Sequence, residues 1–203
     1  MEPQEFKRQL FELRTIISDG IAYFQAWHGL IVDDKVSAQA LNRYRGLFLT
    51  ARNALLWAAL MQFAKVFDRD SRTVSLRNLL TAAKDDRKNL TPYATEENLL
   101  DIEQKIDASE GLLERLKGFR DQRLAHHDAT VAGKVSLLYG EVQKLVEEIK
   151  SMYNSLTRGH DRSTTPFDYL ARETERHTSE VVRIMREEKD RALRRVKKAE
   201  SGT

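Results

Sequence analysis

Cysteine is absent from all 203 residues, which excludes disulfides, thiolate zinc sites and cysteine nucleophiles and is compatible with a reducing cytoplasm. Proline is almost as scarce, with three residues, and the nine glycines form no phosphate-cradling loop. Long hydrophobic runs are missing too. The longest, Ala54 to Met61, has eight residues, against roughly 20 for a bilayer span. The opening Met1-Glu2-Pro3-Gln4-Glu5 is not a basic-then-apolar leader. The expectation is a cytoplasmic protein, neither exported nor membrane-spanning.

What the chain does have is helical periodicity. With 41% apolar and 32% charged residues, it has room for one core of about 100 to 150 residues plus an extension. Apolar residues recur three and four apart with few β-branched alternations, so the fold class is all-α. Phe6, Leu10, Leu13, Ile17, Ile21, Phe24, Trp27 and Ile31 mark a first helix, closing around Gly29 to Asp34. A second is expected from about Val36 to Phe67; because Ala54 to Met61 is apolar on every side, it should form the central element, packed against several neighbours.

Asp68 to Arg72 breaks that helix, with Asp68 and Asp70 read as loop caps. Thr73 or Ser75 then caps a short helix over Leu76 to Ala83, and Thr95 caps the next from Glu96. Val135, Leu138, Val142, Leu145, Ile149, Met152 and Leu156 form the cleanest amphipathic repeat. Arg158 to Ser163 reads as a linker, and Thr165 with Pro166 starts a last helix reaching about Lys198. The expected division is a bundle over 1–158, then a linker and a basic helix over 159–203.

The last helix has eight Lys or Arg and three acids between Arg183 and Lys198, a net of +5 in a chain whose total is +3. Arg191, Arg194, Arg195, Lys197 and Lys198 are therefore candidate contacts for RNA phosphates, as is Arg123 further up the chain. The plainer reading is a solvated helix end whose cations complement the helix dipole.

The most informative stretch is Arg120-Asp121-Gln122-Arg123-Leu124-Ala125-His126-His127-Asp128. Leu99, Ile102, Ile106, Leu113 and Leu116 follow an inward seam, and the same spacing then lands on Arg120, Arg123 and His127. Burying unpaired charge costs several kcal/mol, so the stripe implies either paired groups or a site for an anion such as phosphate. Histidine exchanges protons near neutrality, while arginine stays charged and grips a phosphoryl group. Together they suit RNA cleavage in which the 2'-hydroxyl attacks the adjacent phosphorus. Neighbouring side chains diverge on a helix, so His126, His127 and Asp128 are not expected to form a metal site, and no cofactor is expected.

Arg120 followed by His126 after five residues resembles the R-x(4 to 6)-H signature of the HEPN superfamily. The wider stretch from Phe119 to Asp128 is similar to its abortive-infection U-type branch, as are Phe67-Asp68-Arg69-Asp70 and Ser75-Leu76-Arg77-Asn78-Leu79-Leu80. The resemblance implies a HEPN-like helical bundle acting as a homodimeric, metal-independent ribonuclease, with Arg and His of both protomers meeting at the interface. It also implies a toxin silenced by an antitoxin protein. The alternative is a catalytically inactive HEPN-like module binding RNA or protein. The branch with a nucleotidylated tyrosine two residues past the histidine differs, since position 128 is Asp.

At about 100° per residue, His126 lies some 120° around a helix from Arg120 and His127 only about 20°. Family alignment thus favours His126 and ideal geometry favours His127. Asp121 is the candidate to orient Arg120 by an ion pair.

Overall fold

The computed structural model describes residues 1–125 and 138–200, with side chains at 1–118 and 138–195. The described residues form helices α1 (Pro3–Gly29), α2 (Lys35–Asn42), α3 (Arg45–Val66), α4 (Leu76–Asp85), α5 (Arg87–Leu90), α6 (Glu96–Ala108), α7 (Glu110–Ala125), α8 (Tyr139–Asp161) and α9 (Phe167–Glu200), with no strand among them. The all-α expectation holds.

Two compact units divide the chain, and neither is continuous in sequence: residues 1–20 with 60–167, and residues 21–59 with 168–203. The expected division at 158 falls inside α8.

The first unit takes its core from the apolar stripes of its helices. Phe6, Leu13 and Ile17 of α1, Phe63 and Val66 of α3, and Ile149, Met152 and Leu156 of α8 are fully buried. Burial of each such side chain contributes about 1.5–3 kcal/mol. The buried Tyr153 hydroxyl donates to the Leu10 carbonyl at 3.1 Å, joining α8 to α1. The Asp161 carboxyl, near the end of α8, accepts the Ser163 amide at 2.9 Å. The segment read as a linker from Arg158 is helical through Asp161, because His160 is anchored: its ring packs against Phe6 and its Nδ1 lies 2.5 Å from the Leu90 carbonyl oxygen. The α8 stripe is buried from Val142 onward, whereas Leu138 caps the helix and is exposed. Val135 lies outside the described residues.

The second unit has a small core, with Leu30, Leu41 and Val182 buried together beneath Val32, Phe48, Ala51, Leu55 and Met185. Gly29 admits Thr178 so closely that a Cβ there would stand 2.7 Å from the threonine Cγ2. Asp34 caps α2 by accepting the Ser37 amide at 2.8 Å, and hydrogen bonds from Ser37 hold its carboxyl below the usual aspartate range.

Two expectations for the second helix are corrected. It is broken at Arg43 and Tyr44, where the Tyr44 amide reaches Leu41 three residues back and the Leu47 amide reaches Tyr44; these tighter turns part α2 from α3. Nor is Ala54 to Met61 enclosed on every side: Ala59 and Leu60 are buried, Ala54 is exposed and the rest are half-buried. Trp27 and Trp57 are half-buried as well. By length and composition α3 suffices to cross a membrane, with a mean hydropathy of 1.2 over its most apolar window and 17% of that window buried. Its C-terminal residues Phe63 and Val66 lie in a protein core.

Candidate functional site around helix α7

Helix α7 carries the polar end of the seam, and α6 aims it. Thr95 starts α6 with a reciprocal cap in which its hydroxyl accepts the Asn98 amide and Asn98 accepts the Thr95 amide. Ser109 ends α6 in right-handed helical geometry, its hydroxyl donating to the Lys105 carbonyl at 2.9 Å. The break between α6 and α7 is therefore one residue wide. Leu99, Ile102, Ile106, Leu113 and Leu116 are all buried, as the seam requires.

Ion pairs fix both sides of α7. Glu110, in its first turn, accepts from Arg69 and Arg77. Arg77 lies in the first turn of α4, and Arg69 in the turn before it, where Asp68 accepts the Asp70 amide and Asp70 accepts the Arg72 amide, each at 3.0 Å. Asp68 and Asp70 thus cap the loop as expected, and the Arg72 guanidinium holds the Asp70 carboxyl below its usual range. Asn78 ties the turn to α4 by donating to the carbonyls of Asp70 and Thr73 at 2.8 Å. Ser75 is the residue that caps α4. A recess of about 100 Å³ opens here, lined by Asp68, Arg69, Arg77, Glu110, Glu114 and Lys117 among others. Its three cations face three carboxylates, so it is not a cationic hole, although the Arg77 Nε is buried without a hydrogen-bond partner.

Further along α7, Arg115 grips Glu141 of α8 with two bonds, at 2.6 and 3.1 Å. Glu141 also accepts the Leu138 amide at 3.0 Å, satisfying one of the free donors at the start of α8. Arg115 first, and then the Leu138 amide, hold the Glu141 carboxyl below the ordinary glutamate range. The chain that leaves α7 therefore returns to a point pinned against α7 itself.

Arg120, Asp121 and Arg123 lie in the last two turns of α7, with side chains outside the described region. Arg120 is three residues beyond Lys117, close to the same face as that recess. His126, His127 and Asp128 lie outside the described residues. Arg191, Arg194 and Arg195 are exposed on α9. Positions 191, 194, 195 and 198 share one face of that helix. Lys197 and Lys198 belong to α9 too, with their side chains outside the described region. Several α9 cations are already engaged. Arg183 pairs with Glu180 and Glu187, while Arg191 lies 3.6 Å from Glu187 and 3.9 Å from Glu188. Arg194 and Arg195 have no ion pair among the described residues.

Sequence reading singles out the Phe67 to Asp70 and Ser75 to Leu80 segments but not their task, which is to supply Arg69 and Arg77 to Glu110. It misses the Arg115–Glu141 pair. The available signal is a glutamate three residues into a new helix, a position that commonly reaches back to cap it. Among the described residues no three His, Asp or Glu side chains gather as metal ligands.

No curated protein and no solved structure matched the chain. The HEPN family described as AbiU2 does match, over residues 3–181, a span that takes in α1 to α8, with Arg69 and Arg77, the whole Arg120 to Asp128 stretch and the first part of α9. The chain is therefore a member of the AbiU2 family of HEPN domains.

Proposed function

We propose that this HEPN protein is a metal-independent endoribonuclease of the cytoplasm. Its site is composite, formed where Arg120 and His126 of two protomers meet. The observation that carries this reading is the family match spanning the Arg120 to Asp128 stretch, together with an α7 clamped on both sides. Transition-state stabilisation requires preorganised groups, and these pairs tie the described part of α7 to its neighbours.

The chemistry follows from the two residue types. The histidine takes the proton of a ribose 2'-hydroxyl as that oxygen attacks the neighbouring phosphorus. Arg120 holds the non-bridging oxygens as negative charge builds on them. The bond to the 5'-oxygen breaks, that oxygen is protonated, and a 2',3'-cyclic phosphate is left on the upstream fragment. Asp121 orients Arg120 and Arg123 holds an adjacent phosphate. The α9 cations Arg191, Arg194, Arg195, Lys197 and Lys198 supply sequence-independent affinity. Uncontrolled cleavage of this kind harms the cell that makes it, so the natural partner is an antitoxin protein.

The test is incubation of purified protein with mixed-sequence RNA, with the fragment ends identified and the oligomeric state read by light scattering. Cyclic phosphate ends, activity unchanged by EDTA and a dimer at micromolar concentration are expected. Activity lost on chelation and restored by a divalent ion would overturn the mechanism, and a persistent monomer would overturn the composite site.

A further inference from the structure

We infer that the groove between α2 and α3 is a docking site for an amphipathic, acidic helix of a partner protein, independent of Arg120 and of the ribonuclease reading. The groove has a volume of about 730 Å³. Leu30, Leu41, Phe48 and Leu49 give it an apolar floor, and Arg45 and Arg52 stand on its rim. On α3 the residues Arg45, Phe48, Leu49 and Arg52 follow one another at helical spacing and so share a face, with the two arginines about 10.5 Å apart along the axis. Neither arginine has an ion pair or hydrogen bond among the described residues, and no carboxylate lines the groove. Leu49 is 45% exposed beside them.

Each feature selects the occupant. Uncompensated guanidinium groups two turns apart on an apolar floor match carboxylates two turns apart flanking an apolar stripe, the arrangement of a helix laid in a groove. The core beneath holds three mutually packed buried residues, so covering Phe48 and Leu49 would extend it. A membrane is a poorer fit, because lipid meets protruding faces and this one is concave. RNA is poorer as well, since the floor is mostly aliphatic and Phe48, its one aromatic ring, is half-buried, whereas bases stack on exposed rings. A second copy presenting the exposed Val181 and Ile184 of α9 fits less well too, because the carboxylates flanking them, Glu180, Glu187 and Glu188, already lie against Arg183 and Arg191.

The probe is a synthetic amphipathic helix of about five turns with leucines three and four apart and glutamates seven apart; its control carries lysines in place of the glutamates. Binding to the full chain is read by fluorescence anisotropy. The glutamate peptide is expected to bind about tenfold or more tightly than the lysine peptide. The double variant Arg45→Glu with Arg52→Glu is expected to reverse that preference. Leu49→Asp, at a half-exposed position, should weaken both peptides while circular dichroism stays unchanged. Equal affinity for the two peptides, or no binding of either, overturns the proposal. So does binding of phosphatidylserine vesicles or oligouridine, or self-association, that these variants abolish while the glutamate peptide fails to bind.

Discussion

Gly159 of α8 and Ala94 approach so closely that a Cβ on the glycine would stand 2.8 Å from the alanine Cβ. Ala94 has little freedom to retreat: the neighbouring Tyr93 amide donates to the Gly159 carbonyl at 3.0 Å, and Arg87 donates to the Ala94 carbonyl at 2.8 Å. Helix propensity alone would favour alanine at position 159 by roughly 1 kcal/mol, but the overlap costs about 1–3 kcal/mol. Gly159→Ala should therefore destabilise the protein. Gly111→Ala on α7, where a Cβ meets nothing within 4 Å, should stabilise it by about 0.5–1 kcal/mol. Urea denaturation of both variants checks the contrast, and a shift in the same direction would refute it.

Acid should loosen the start of α8. The Glu141 carboxyl sits below its usual range because Arg115 and the Leu138 amide favour the charged form. A depressed native pKa gives stabilisation that is complete above the unfolded-state value, about 4.3 for glutamate, and is lost as pH falls through the native value. Glu141→Gln should lower Tm at neutral pH, and the gap from the wild type should close in strong acid. A gap of constant size across that range would show that the pair contributes nothing through its charge.

Cleavage should fall by about 10² or more in Arg120→Ala, through lost charge stabilisation, and by a comparable factor in His126→Ala, through lost proton transfer. Circular dichroism should show both folded. His127→Ala decides between the two histidines: if it abolishes cleavage while His126→Ala is nearly silent, the helical-wheel geometry identifies the base. Unchanged rates in all three variants refute the ribonuclease reading.

Removing the basic arm calls for charge changes rather than truncation, because cutting before α9 would also remove Val182 and Thr178 from the packing of their unit. Replacing Arg194, Arg195, Lys197 and Lys198 by Gln should weaken RNA binding. If all four meet phosphates of a single strand, the slope of log affinity against log salt should flatten by about 3. Titrations at several salt concentrations measure it. An unchanged slope would mean that these cations do no more than complement the helix end.

Local chemistry makes much of the fold legible in the sequence. Thr95 and Ser75 each cap the helix that follows them, and the stripe from Val142 to Leu156 is buried, because capping and amphipathicity act within a few residues. The break at Arg43 and Tyr44 is not legible, since no proline marks it and the nearest glycine, Gly46, lies inside α3. The half-burial of Ala54 to Met61 is not legible either, because composition records that a face is apolar but not whether another element covers it. The Glu110 clamp joins residues 41 and 33 positions apart, beyond the reach of any local pattern. Of the candidate site, the helix bearing Arg120 is legible, as is the family, while the choice between His126 and His127 turns on residues outside the described region.

The interleaving of the two units also has a temporal side. Leu30, Leu41 and Phe48 leave the ribosome well before Val182, and residues 60–167, which belong to the other unit, emerge in between. Closing so long a loop is entropically costly and slow. Until α9 arrives, the apolar side of α3 is uncovered in the nascent chain, the interval in which a growing protein is most prone to aggregate and most dependent on chaperones.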